Sequence, residues 1–321
     1  DEAEVFGSRA RTIAVRFEKG DLKLTQVDDG SSLGLRVFQG HRLGFTSTNQ
    51  ASERSLAETA QNALALAQFA RPDPHNVLPR ARPVTPLASL VDPKIAQLSV
   101  EECVERGRAF LARTQALDRR LSIDNASFQV SCVSQAIVSS AGARAAESDA
   151  QAGFSVFGMA LEGADVGGFH YDGDSLRELA AIEPAMERVA REFAHVAVGN
   201  LGAGTAESYQ GPVLFAPDAF VDAFIAPLVS AASAIAVQRG RSPLAQKLGT
   251  LVAAPLVDVD DEPLDRTLAG AGSFDREGQP TARTRLVARG VLETFLYNGY
   301  AAQVAGRTST GHAKGGARGV P

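Results

Sequence analysis

Cysteine is nearly absent. Cys103 and Cys132 are the only two in 321 residues, too few for a disulfide framework and without close metal-ligand spacing. They read as buried thiols, which suits a reducing compartment, and a cytoplasmic protein is expected. Basic charge is not in excess either: a net charge of -5 gives no broad positive field for phosphates, so nucleic acid is not an expected partner. No apolar run of about 18 residues occurs, and no basic segment followed by an apolar stretch opens the chain, so neither a membrane span nor a leader is expected. Histidine is sparse as well. His41, His75, His170, His195 and His312 are scattered and none begins a His-Glu pair, so the helical two-histidine arrangement that holds a hydrolytic zinc is missing.

What is present is an ordinary globular composition, 45% hydrophobic and 21% charged, in a chain long enough for two domains. Asp1 in place of an initiator Met, and a Gly-rich finish before Pro321, lead to the expectation that part of the native protein is absent.

Polar and apolar residues alternate from Arg11 to Phe17 and again in Leu33 to Phe38 and Leu43 to Thr48, which predicts an antiparallel hairpin around Gln39 to Arg42. Leu56, Ala60, Ala63, Leu64 and Ala67 then recur at helical spacing behind a capping box of Ser55 and Glu58. Prolines 72, 74, 79, 83, 86 and 93 remove backbone donors and predict an extended crossing segment over 71–93. Ser99 and Glu102 open a second helix carrying Val104, Phe110 and Leu111. Strands return around Phe128 to Cys132, Ile137 and Phe154 to Leu161, with turns at Ala141-Gly142 and Glu162-Gly163. A third capping box, Ser175 and Glu178, precedes helical pieces that include Pro184 and end at Gly199.

The Gly-rich, uncharged stretch from Gly199 to Gly204 places a domain boundary near Thr205. Beyond it the pattern predicts a strand at Pro212 to Phe215, a helix from Pro217 to Val237 kinked at Pro227, a β segment over Leu251 to Val259, and a hairpin of Thr284 to Ala288 with Val291 to Leu296 across Arg289-Gly290. The expected class is α+β: a mixed domain over 1–204, antiparallel strands plus helices, followed by a β-rich and incomplete domain over 205–321.

Several constellations could carry chemistry. Glu192 and His195 share a helix face, but a lone pair of this kind is read as a surface contact. Asp258, Asp260, Asp261, Glu262 and Asp265 form an acidic cluster without EF-hand spacing and read as a solvated turn. His170, Tyr171, Asp172, Asp174 and Ser175 lack a nucleophile-elbow sequence and read as a polar turn. The glycines at 199, 202 and 204, and those at 311, 315 and 316 beside Lys314, lack phosphate-loop spacing. The most specified block is Phe274-Asp275-Arg276-Glu277-Gly278-Gln279-Pro280-Thr281, followed by Tyr297-Asn298-Gly299-Tyr300. Asp275 is expected to cap its own loop through backbone N–H groups, with Gly278 at positive φ; a direct ligand contact is the alternative.

That block, read with Arg289-Gly290-Val291-Leu292 and Ser309-Thr310-Gly311-His312-Ala313, resembles the carboxyl-terminal signature of the TldD/PmbA metallopeptidase family. Gly34-Leu35-Arg36-Val37-Phe38 with Gly44-Phe45-Thr46-Ser47-Thr48 resembles the family's amino-terminal hairpin, and Gly211 to Pro217 the strand entering its second domain. The resemblance covers essentially the whole chain, and the family normally continues past Pro321. Active members place His-Glu-x-x-x-His on the helix after that strand. Here the corresponding positions are Ile225, Ala226 and Ser230, which cannot ligate zinc or move a proton.

The resemblance therefore implies the PmbA/TldE branch. It implies a non-catalytic subunit without catalytic residues, metal or cofactor of its own, zinc being expected only in a TldD-like partner. A dimer with that partner or with itself is implied, processing unfolded or modified peptides, with Asp275, Glu277, Gly278 and Tyr300 at a peptide chamber or its motif loop. A regulatory protein binder of gyrase-modulator type, or a peptidase active by itself, are the alternatives.

Overall fold

A computed structural model of the chain describes residues 1–87 and 90–321. Its frame is an antiparallel sheet built from four unusually long strands. β1 (Glu2–Glu18) folds back on β2 (Asp21–Gln39), which turns into β3 (Arg42–Thr48); β4 (Leu121–Ser139) and β5 (Arg144–Glu162) complete it with β6 (Asp165–Val166) and β7 (His170–Leu176). The order is β3-β2-β1-β4-β5-β6, with β7 also on β5. Sequence periodicity predicted only the second half of β1 and of β2. The first half of β2 is exposed throughout, and in the first half of β1 the charged Glu4 takes a buried position, so neither shows a clean alternation.

Alternation decides what each face does. Ile13, Val15 and Phe17 stand beside Val130, Phe128 and Ala126 and, through β4, Ala152, Phe154 and Val156. Against this face pack α3 (Val100–Gln115) through Cys103, Phe110 and Leu111, and α4 (Leu179–Gly199) through Ile182, Met186, Val189 and Phe193. α1 (Glu53–Phe69) covers the β2–β3 end through Ala63 and Ala67. Even-numbered residues of β1 face the other way, and there Phe6 and Ile137 meet Ala317 and Phe274 of the carboxyl-terminal region. Gly34 shares that face; a Cβ on it would come within 2.2 Å of the Ala317 carbonyl oxygen, so only glycine lets the two layers close.

The helix starts correct part of the sequence reading. The predicted Ser99 and Glu102 box forms both of its bonds, Glu102 N–H to Ser99 Oγ at 3.1 Å and Ser99 N–H to Glu102 Oε2 at 2.8 Å. Ser55 and Glu58 do not cap α1. Ser52 does, accepting from Ser55 N–H at 3.2 Å, while Glu58 pairs with Arg54. Ser175 lies in β7, not at a cap; the Leu179 N–H at the start of α4 is taken by Asp92, 87 residues away. Asp92 also caps the four-residue α2 (Pro93–Ala96), so one carboxylate begins two helices, a role that local spacing cannot show. Pro184 lies inside an unbroken α4. The crossing segment predicted over 71–93 is irregular or turn-like from 71 to 87; Ala88 and Ser89 fall outside the described residues.

The carboxyl-terminal region keeps the α+β class but is sparser in strand than expected. Its sheet holds β8 (Val259–Asp261), β9 (Thr284–Ala288) and β10 (Val291–Leu292). Pro212 to Phe215 is not a strand: no neighbouring strand runs beside it among the described residues, and Leu214 is 99% exposed. From Leu251 to Val257 the backbone forms only an isolated bridge, Leu251 to Val291. The predicted long helix is divided. α5 (Pro217–Phe220) widens into a π-helical turn (Val221–Ile225) just before Pro227, whose missing N–H such a turn accommodates, and α6 (Ala226–Ala231) follows. α6 ends where Leu296 draws Ala232 and Ala234 into a parallel bridge, with bonds of 2.9 and 3.0 Å. α7 (Ala234–Gln238) and α8 (Gly299–Val304) complete the elements.

Candidate functional site

α6 borders a cavity of about 710 Å³ closed on other sides by β8, β9 and the residues around His312. Ile225, Ala226 and Ser230 all line it, so the three sequence-predicted positions are brought to one place. Val221, Val229, Ile235, Leu286 and Leu296 make most of its wall apolar, and Asp260, Asp261, Asn298, His312 and Lys314 form a polar rim.

The acidic cluster is not simply a solvated turn. Asp260 sits on β8 opposite Arg285 on β9, with bonds of 2.8 and 3.0 Å, and takes a third from Arg283. Those guanidinium bonds, Arg285 first, hold its carboxyl at about 2. Asp261 faces His312 Nε2 at 3.1 Å, and His312 Nδ1 lies 2.8 Å from Thr310 Oγ1. Glu262 is paired in the same way, with Arg283.

A zinc ion does not fit Ile225, Ala226 and Ser230. Hydrocarbon side chains offer no lone pair, and a single neutral hydroxyl is a weak ligand beside imidazole or thiolate. Among the described residues, no group of three or more His, Cys, Asp or Glu side chains is placed to hold a metal ion. Glu192 and His195 are exposed on α4. Ser175 donates to Gln151 Oε1 at 3.0 Å, and His170 stacks on Phe193, so the His/Asp/Ser run makes no triad.

The Phe274 to Thr281 block lies elsewhere, between the sheet and the carboxyl-terminal region. Asp275 is 7% exposed and caps its own loop as expected: Oδ1 accepts from the N–H groups of Glu277 and Gln279 at 2.9 Å each, and Oδ2 from Ala313 at 3.0 Å. Burial pushes the carboxyl up to about 6, against the pull of those N–H groups. Gly278 has φ of 70° and no room for a side chain, since a Cβ would meet Ile137 Cγ2 at 3.0 Å. Glu277, 2% exposed, accepts from Arg36 at 3.0 Å and from the Gly299 N–H at 2.5 Å. The carboxylates of Asp275 and Glu277 therefore face inward. Both sit in the motif loop, one of the two placements expected for them, with their carboxylates bonded to the protein's own groups.

Sequence reasoning missed their partners. Glu4 on β1 bonds Arg36 on β2 and Arg276 in the loop, each at 2.7 Å, which makes a buried Arg276–Glu4–Arg36–Glu277 chain. Arg276 also lies over the Phe6 ring, 4.2 Å from its centroid. The signal was available: Arg36 is a lone cation inside the apolar run Leu33 to Phe38, and Glu4 occupies an inward strand position. Tyr300 donates to Asp73 at 2.8 Å, and Arg82 reaches Gln279 and the Ser309 carbonyl at 3.0 and 2.9 Å, so the crossing segment straps over this loop.

The PmbA/TldA metallopeptidase domain 1 matches residues 3–67, and the C-terminal domain of the same family matches residues 208–321. Metalloprotease PmbA of Escherichia coli O157:H7 is 27% identical over 98% of this chain and 70% of its own length. An uncharacterised protein of Methanocaldococcus jannaschii is 26% identical over all of this chain and 72% of its own. Among solved structures, a protein described as a candidate DNA gyrase modulator from Thermotoga maritima superposes with a TM-score of 0.87 at 22% identity, covering 99% of this chain and 72% of that one. TldE from Thermococcus kodakarensis gives 0.84 at 21% identity, over 97% and 70%. The chain belongs to the PmbA/TldD metallopeptidase family.

Proposed function

We propose that this chain is a PmbA/TldE-type subunit without a zinc site of its own, which pairs with a TldD-like protein to process unfolded or modified peptides in the cytoplasm. The observation that supports it is the chemistry of the α6 cavity. The positions that would carry two imidazoles and a carboxylate in an active relative carry Ile225, Ala226 and Ser230, and they line the same recess. An apolar wall there can seat a peptide side chain but cannot polarise a carbonyl or activate water. No helix among the described residues is long and apolar enough to cross a membrane.

The test is metal analysis of the purified chain, then peptidase assay alone and with a TldD-like protein, with and without chelator. The expected result is no stoichiometric zinc, no cleavage by the chain alone, and chelator-sensitive cleavage by the pair. Stoichiometric zinc in the isolated chain overturns the proposal.

One observation favours a second reading, a peptidase active by itself: His312, with Asp261 on one nitrogen and Thr310 on the other, borders the same cavity. Cleavage by the isolated chain that His312→Ala abolishes would support it. A regulatory binder remains a third reading, and recovery of gyrase but never of a TldD-like subunit in a pull-down would favour it.

A further inference from the structure

The face of β4, β5 and β7 turned away from α3 and α4 carries a recess of about 590 Å³ that shares no residue with the α6 cavity. Alternation puts it there. Phe128, Val130, Phe154 and Val156 fill the core, so their neighbours Ser127, Gln129, Gly153 and Ser155 point the other way. β7 sets Ser175 beside Gly153 and Tyr171 beside Phe157. The polar groups are held in place: Ser127 and Ser155 share a hydrogen bond of 2.8 Å, Ser175 donates to Gln151 Oε1 at 3.0 Å, and Gln151 Nε2 donates to Asp149 Oδ2 at 2.6 Å. Two carboxylates border the recess and each already faces a guanidinium, Asp149 that of Arg177 at 2.7 Å and Asp174 that of Arg188. At one end the ring of Tyr171 is 64% exposed, and next to it Phe157 and Phe169 stack with centroids 5.1 Å apart.

We propose that this recess binds a neutral saccharide, a role beyond the subunit reading and independent of it. The chemistry of the wall selects the ligand. An anion finds no partner, because no lysine or arginine lines the recess and Asp149 and Asp174 repel it. An extended peptide finds no open ladder on the floor, since β4 bonds β1 and β5, and β5 bonds β4 and β7. An apolar side chain would bury hydroxyls and amides without giving them a partner. A sugar ring matches both parts of the wall. Its hydroxyls each donate and accept, as do those of Ser127, Ser155 and Ser175 and the Gln129 amide. Its ring carbons present a face of polarised C–H groups, which the negative π face of Tyr171 attracts. Gly153 leaves the floor open: a Cβ there would stand 3.5 Å from the nearest atom, an ordinary contact, so packing does not demand glycine and the space belongs to the recess.

The experiment is NMR titration of the full chain, labelled at tyrosine, with maltotriose, cellotriose and chitotriose. A neutral glycine–serine peptide and a heparin oligosaccharide serve as controls. The chain has four tyrosines, and only Tyr171 lines the recess, so its ring signals, assigned with Tyr171→Phe, report the site. At least one of the three sugars should shift them saturably, and neither control should. Calorimetry with that sugar should show Tyr171→Ala and Gly153→Val binding roughly tenfold more weakly, the first by loss of the platform and the second by filling the floor. Tyr171→Phe should bind as the wild type does. Thermal melts check that the variants fold, and because the two weakening changes lie on different strands, either one alone carries the test. No saturable shift with any of the three sugars overturns the proposal. So does binding that both variants leave unchanged, or an equal shift produced by the peptide or by heparin.

Discussion

Asp275 is the residue with the most to say about solution conditions. Its carboxyl titrates near 6 because it is buried, above the ordinary aspartate value of about 3.9. The native state therefore holds a proton that the unfolded chain has already lost between about pH 4 and pH 6. Stability from this group is fully present below the unfolded value and is lost as pH rises through about 6. Urea unfolding followed across that window should show this component, and Asp275→Asn should remove it. The same substitution turns an NH₂ toward a backbone donor now satisfied, at Glu277 and Gln279 or at Ala313, and should cost about 1–3 kcal/mol at neutral pH. An unchanged slope in the variant would assign the pH dependence to another group.

At the scale of elements, helix starts make the sharpest comparison. Ser52→Ala should destabilise the protein by about 1 kcal/mol, because Ser52 is the residue that caps α1. Asp92→Ala should cost more than one ordinary cap, since Asp92 accepts from Lys94 and Leu179 and so starts both α2 and α4. Thermal melts of the two variants rank them, and an Asp92 effect no larger than that of Ser52 would refute the shared cap. These cases also show how far the sequence was legible. The Ser99 and Glu102 box and the turns at Gly142, Gly163 and Gly290 were readable because each is completed within a few residues. Ser55 and Ser175 had the right spacing but lay in the wrong backbone, one already inside its helix and the other in a strand. The α6 cavity was legible as three substituted positions, because the helix carrying them is marked on both sides by recognisable segments. Its polar rim was not, since Asp261 and His312 are 51 residues apart and meet only by folding.

Across the whole molecule, the buried Arg276–Glu4–Arg36–Glu277 chain ties the amino-terminal sheet to the carboxyl-terminal region. Glu277→Gln removes one partner and leaves Arg36 short of a counter-charge in a dry layer, so a loss of about 3–5 kcal/mol is expected. Denaturant unfolding measures it, and a loss below about 1 kcal/mol would place the junction's strength elsewhere. Gly34→Val should separate the same two layers by overlap with Ala317, at a cost of about 1–3 kcal/mol or more. Local pattern marks each half, Arg36 alone in an apolar run and Glu4 at an inward strand position, but not their meeting with Arg276 and Glu277, which come from the opposite end of the sequence.

That separation has a consequence during synthesis. Arg36 leaves the ribosome 241 residues ahead of Glu277, an interval of roughly 10–50 s at ordinary elongation rates. Through all of it the first hairpin can close only around an incomplete set of ions, with its inner layer wet and its second wall not yet made. The early strands must wait, half-finished, for the late loop to seal them.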